Sequence, residues 1–106
     1  MDAPGRDEPP NTWPGNESVF PLGDDQYADW ETQRDTGRRI GLMTWHWDAT
    51  RSQWCGGWLG FTNVEGHLSR SKHELVSEEP LTVSPSLQCG HCANHGWIRS
   101  GAWVPA

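Results

Sequence analysis

The residues best suited to chemistry lie in one stretch, QCGHCANHGW at 88–97. Cys89, Cys92 and His95 read as C-x-x-C-x-x-H, three metal donors at regular spacing. Two thiolates separated by two residues can grip one tetrahedral ion from a single tight turn, and Gly90 lets backbone amides face the sulfurs. His95 is expected to supply a third donor from the same loop. The fourth must come from elsewhere, and Cys55, flanked by Gly56 and Gly57, is the leading candidate, with His46 and His67 in reserve. The expected ligand set is therefore Cys55, Cys89, Cys92 and His95, holding a structural Zn2+. A site filled by four protein ligands has no open position for water, which makes it structural and not catalytic. His91, between the two cysteines, is expected to be exposed.

Other chemistries fit these residues less well. C-G-H-C is also the redox-active sequence of disulfide isomerases, but that chemistry needs it at the start of a helix in a thioredoxin fold. Fourteen residues follow Cys92, broken by Gly96 and Gly101, too few for the strands such a fold requires. A zinc deaminase needs H-x-E upstream and proline directly before its first cysteine. This chain has His73-Glu74, and Pro85 stands four residues ahead of Cys89. A small metal-dependent hydrolase would need an open zinc position and a nearby carboxylate such as Glu65 or Glu74. The expectation is binding, not catalysis.

The elements that must position these donors have little to bury. Across 106 residues the mean hydropathy is −0.77 and 34% of residues are hydrophobic, with eight tryptophans making up part of the shortage. Small folds of this kind usually add a metal or disulfides. Three cysteines cannot form a closed set of disulfides, and Cys89 and Cys92 sit too close for an ordinary bridge. Structural zinc contributes roughly 10–16 kcal/mol apparent in finger-like peptides, enough to supply the missing cohesion. The start MDAPGRDEPP lacks the apolar core of a signal peptide, and no apolar run approaches the ~20 residues that span a bilayer. A reducing, cytoplasmic compartment is expected.

Charge divides the chain in two. Residues 1–36 carry nine acids against two bases, a net of −7, and residues 37–106 carry five acids against six bases, a net of +1. The first part, with Pro4, Pro9, Pro10, Pro14 and Pro21, reads as an extended acidic arm bearing Trp13 and Phe20. Within it, 25–36 is the best helix candidate: Asp24 suits an N-cap, Gly37 an end, and Tyr27 and Trp30 would share a face. From Ile40 the pattern changes to short strands. IGLMTWHW alternates Met43, Trp45 and Trp47 against Leu42, Thr44 and His46, Asp48–Gln53 turns, and WCGGWLGF returns. Residues 65–80 read as loop, LTV at 81–83 as a short strand, and GWIR and AWV as a hairpin about Ser100-Gly101. Trp45, Trp47, Trp54, Trp58, Trp97 and Trp103 could form a stacking platform for carbohydrate or nucleic acid, but most are expected in the core. The fold class expected is a small β-rich domain, α+β at most, of zinc-knuckle or zinc-ribbon type over 37–106.

The C-terminal tail PLTVSPSLQCGHCANHGWIRSGAWVPA resembles the C-terminal part of uncharacterised small proteins of tailed phages, particularly those infecting actinobacteria. The pattern is carried by Thr82, Ser84, Pro85, Ser86, Leu87, Cys89, Cys92, His95, Gly96, Trp97, Ile98, Gly101 and Trp103. Relatives often carry an upstream cysteine pair where this chain has Cys55 alone. The resemblance implies a viral origin and metal binding, and no known activity. The function expected is that of a phage accessory protein that binds another protein, either a host or defence factor or a virion subunit, through an arm that seeks a basic surface. It would act in the infected cell or the virion. Nucleic acid is disfavoured as a partner, because residues 37–106 have almost no net positive charge and no basic stripe.

Overall fold

The computed structural model describes residue 11 and residues 15–106. The arm's residues 1–10 and 12–14, Trp13 among them, lie outside the described residues. The rest forms eight strands: β1 (Phe20–Gly23), β2 (Gln26–Thr32), β3 (Arg39–Asp48), β4 (Gln53–Gly60), β5 (Glu74–Glu78), β6 (Leu81–Gln88), β7 (His95–Arg99) and β8 (Ala102–Pro105). They make two antiparallel sheets, ordered β1-β2-β3-β4 and β5-β6-β7-β8, each a simple meander. The described residues contain no helix, and so none long and apolar enough to cross a membrane.

The inner faces of the two sheets share one apolar layer. Leu22, Ala28, Trp30, Leu42, Leu59 and Phe61 come from the first sheet and its exit, and Leu81, Val83, Ile98 and Trp103 from the second. Strand alternation selects them, since successive side chains point to opposite faces. On β3 the inward side chains Ile40, Leu42, His46 and Asp48 are buried, while Met43, Trp45 and Trp47 lie half-buried on the other face, beside the buried Gly41.

The tryptophan face therefore points outward, against the expectation of a tryptophan core. Trp45, Trp47, Trp54 and Trp58 form a cluster on the outer side of the first sheet, Trp97 is half-buried, and of the six only Trp103 is fully in the core. The indole N–H groups explain the choice, because a buried indole needs an acceptor. Trp45 Nε1 donates to Asp29 Oδ1 (2.7 Å) and Trp58 Nε1 to Glu31 Oε1 (2.5 Å), and both carboxylates belong to β2.

The helix expected over 25–36 is corrected to strand β2. Asp24 and Asp25 take left-handed φ values of 54° and 59° and form the turn between β1 and β2, so Asp24 is not a cap. Aspartate tolerates that conformation better than most residues. β2 then pairs with β3 along its whole length, Gln26 opposite His46 through Thr32 opposite Arg39. Tyr27 and Trp30 consequently face opposite sides, with Trp30 inward. The sheet begins at Phe20, inside the segment assigned to the acidic arm. Arg39 ties that segment down further, donating to Glu17 through Nε and Nη2 (both 2.7 Å), bonding Glu78, and lying over the Trp30 ring.

Two further segments differ from expectation. Residues 65–80 hold β5, and β6 continues past Ser84-Pro85 to Gln88, with its register against β7 shifting between Val83 and Leu87. The hairpin about Ser100-Gly101 is as expected, with φ of 51° and 79° at the two turn residues.

Candidate metal centre

β3 and β4 turn about Asp48–Gln53, and that register sets His46 directly opposite Cys55. Both side chains point inward and are buried, at 7% and 5% exposure. From the second sheet, β6 ends at Gln88 and the chain turns through Cys89–Asn94 before β7 begins. Cys89 N–H donates to the Asn94 carbonyl (2.9 Å) and His91 N–H to Cys89 Sγ (3.3 Å), so the turn folds around a sulfur. The amides of Gln26 and Asn94 bond each other across the sheets (2.8 and 3.3 Å) and hold this turn against β2.

The result is a cluster of four donors, His46, Cys55, Cys89 and Cys92, whose ligand atoms all lie within 4.8 Å of one another. His46 Nε2 stands 3.2 Å from Cys92 Sγ. A tetrahedral ion with bonds of about 2.0 Å to nitrogen and 2.3 Å to sulfur needs donors roughly 3.5–3.8 Å apart. With donors up to 4.8 Å apart the groups must draw together by up to about 1 Å to close on one ion, and three sulfurs with one imidazole suit a zinc-like ion.

Three of the expected donors converge, and the fourth position is taken by His46 in place of His95. His95 opens β7 opposite Gln88, and its ring lies near Trp97 with Nε2 3.1 Å from Ser86 Oγ. His67 bonds the carbonyl of Val64 within its own turn (3.0 Å). His91 is exposed, as expected. A signal for His46 was present in the sequence: a turn centred on Asp48–Gln53 makes residues equidistant from it face each other, which pairs 46 with 55. Loop proximity pointed to His95; cross-strand register points to His46.

The electrostatics of the cluster favour a cation. Burial lowers the His46 pKa, opposed by the Asp48 charge, so the ring is neutral and able to donate a lone pair at neutral pH. Burial, with the neighbouring sulfurs of Cys89 and Cys92, pushes the Cys55 thiol up to about 11. Cys92 is also raised by burial, against the backbone N–H of Asn94. Cys89 is desolvated too, but N–H groups of His91 and Cys92 facing its sulfur prevail and lower it. Three thiols crowded at this spacing resist ionising together unless a cation joins them.

Asp48 and Arg51 surround the cluster. Asp48 Oδ1 accepts from the N–H groups of Thr50 (3.0 Å) and Arg51 (3.3 Å), and Oδ2 lies 3.9 Å from Cys55 Sγ and 3.5 Å from Arg51 Nε. Arg51 Nη2 then donates to the His91 carbonyl (3.3 Å), linking the β3–β4 turn to the cysteine turn. The two carboxylates named for a hydrolase, Glu65 and Glu74, do not reach the cluster, and the acid beside it is Asp48. Glu65 pairs with Arg38 in solvent (3.7 Å) and Glu74 is exposed at the start of β5. Comparison with known proteins found no matching family, no similar curated protein and no similar solved structure.

Proposed function

We propose that this chain is a zinc-stabilised β-sandwich whose task is to bind another protein, and that it serves a tailed phage as an accessory protein. The observation that carries the first part is the four-donor cluster drawn two-and-two from separate sheets. An ion held there joins the β3–β4 hairpin to the β6–β7 turn at the end of the sandwich where His46 and Asp48 take the inward positions that Leu42 holds farther along β3. With four protein ligands it offers no site for activating water, so its contribution is cohesion. The C-G-H-C stretch lies between two strands, without the helix start that would activate Cys89 for thiol exchange.

The phage assignment rests on the resemblance of the C-terminal tail. A net charge of −6 favours a partner with a basic surface, whether a host factor or a virion subunit. Metal analysis with thiol counting tests the centre: one zinc per chain with all three thiols protected supports it, and a zinc-free protein with the same melting curve opposes it. Capture of partners from infected-host lysate, with the full chain and with residues 1–14 removed, tests the binding role of the arm. The deletion must stop there, because Glu17 N–H already bonds the Trp30 carbonyl (3.0 Å). Equal capture by both forms would show that the arm is not the binding element.

A further inference from the structure

The three cysteines of the metal centre are not equivalent. Cys55 is buried at 5% exposure within β4, and Cys92 Sγ stands against His46 Nε2 at 3.2 Å. Cys89 is half-buried at the start of a turn in which Gly90, His91 and Ala93 are exposed. It alone of the three lines a cleft of about 230 Å³ beside the cluster. Gly90 and His91 line the same cleft, which gives small polar solutes a path to the Cys89 sulfur. The turn also has room to move, since a Cβ added at Gly90 would meet no atom within 4 Å.

The same geometry gives Cys89 a partner. The sulfurs lie within 4.8 Å of one another, and a disulfide holds them about 2.0 Å apart, so the turn must carry its sulfur less than about 3 Å. Cys92 is the poorer partner. A bridge across two intervening residues is of the strained, easily reduced kind, and the Cys92 sulfur is already held by His46 and by the Asn94 N–H. Cys55 stands on the opposite sheet, where no short loop limits the approach.

We propose that Cys89 is an oxidation site for hydrogen peroxide, and that its oxidation replaces the metal link between the sheets by a Cys55–Cys89 disulfide. Sulfur ligands are ionised while the ion is bound. The Cys89 thiolate attacks one peroxide oxygen, the O–O bond breaks, and hydroxide leaves, giving a sulfenic acid. The Cys55 sulfur then attacks the Cys89 sulfur, the S–S bond forms, the S–O bond breaks, and a second hydroxide departs. Each sulfur has lost one electron and the peroxide has gained two. His46 and Cys92 are too few donors to keep the ion, so zinc leaves while the bridge still joins β4 to the β6–β7 turn. A dithiol reductant reverses the change. This is a single oxidation of the protein's own sulfurs, separate from catalytic thiol exchange. It gives the metal centre proposed above a regulatory role and rests on that reading.

The test exposes the zinc-loaded full chain to excess hydrogen peroxide and follows released zinc with a chromophoric chelator. Remaining thiols are then alkylated, and tryptic peptides are mapped by mass spectrometry without reduction. Cleavage after Arg51, Arg70, Lys72 and Arg99 puts Cys55 on peptide 52–70 and both Cys89 and Cys92 on peptide 73–99. The expected result is one zinc released per chain, peptide 52–70 bridged to 73–99 in monomeric protein, and the alkyl label on Cys92. The oxidised protein should also melt above the reduced protein stripped of zinc by a chelator. Retention of zinc and all three thiols overturns the proposal, as does a bridge confined to 73–99, a label on Cys55 or Cys89, a pairing found only in dimers, or an oxidised form no more stable than the stripped one. Zinc measured before oxidation separates the two readings. A zinc-loaded chain that resists peroxide loses only the switch, and a zinc-free chain that forms the Cys55–Cys89 bridge keeps the oxidation site and loses the ion.

Discussion

Replacing His46 and His95 separately by glutamine distinguishes the two candidate fourth ligands. His46→Gln removes a donor that lies inside the four-atom cluster, 3.2 Å from Cys92 Sγ, and leaves a three-sulfur site completed by water. Loss of an outer partner to a metal ligand already costs about 10–100-fold in affinity, so loss of a ligand itself should exceed ~100-fold, near 2.7 kcal/mol. His95→Gln removes a contact with Ser86 Oγ at 3.1 Å and part of the packing on Trp97. That is about 1 kcal/mol of stability and almost no change in metal affinity. Zinc affinities are measured by competition with a chromophoric chelator, and circular dichroism confirms that both variants fold. Cobalt substitution adds a spectral check, because His46→Gln alters the ligand field and His95→Gln leaves it unchanged. If His95→Gln released the metal and His46→Gln kept it, the register argument for the centre would be wrong.

Zinc binding should release at least two protons at neutral pH, because the Cys55 thiol, near 11, and the raised Cys92 thiol are both protonated before the ion arrives. Affinity should then rise about 100-fold per pH unit near neutrality, a slope read from competition titrations at several pH values. Glu17→Gln should lower the melting temperature at neutral pH by a few degrees. Hydrogen bonds from Arg39 hold the Glu17 carboxyl below its ordinary 4.5, so this stabilisation is present above 4.5 and fades as pH falls below it, and the two melting curves should converge in acid. The partly exposed pair limits the effect to about 1 kcal/mol. Alanine at Gly56 should cost about 1–3 kcal/mol, because its Cβ would stand 2.6 Å from the Trp45 ring, whereas alanine at Gly57 should be nearly neutral. Paired denaturant melts compare the two.

Composition and local pattern determined a good part of this protein. The alternation in IGLMTWHW gave β3, the glycine-loosened return gave β4, and Ser100-Gly101 gave the last hairpin, because these signals are local and act through backbone geometry. The same was true of Cys89 and Cys92, whose spacing is a property of one turn. Cys55 was also legible, as a cysteine beside glycines with no local task.

Tertiary pairing decided the remainder. DDQYADW carries a helix-like start and two aromatics three apart, but the second edge of β3 needed a neighbour, and seven cross-strand pairs with β2 outweighed a weak local helix preference. Which face of β3 turned inward could not be told from alternation alone, since both faces carry large apolar groups; the indole N–H groups chose the side where Asp29 and Glu31 could accept them. The fourth donor followed from that same choice. Once Leu42 faced inward, His46 did too, and the hairpin register set it opposite Cys55, while His95, nearer in sequence, was drawn into β7 and onto Ser86.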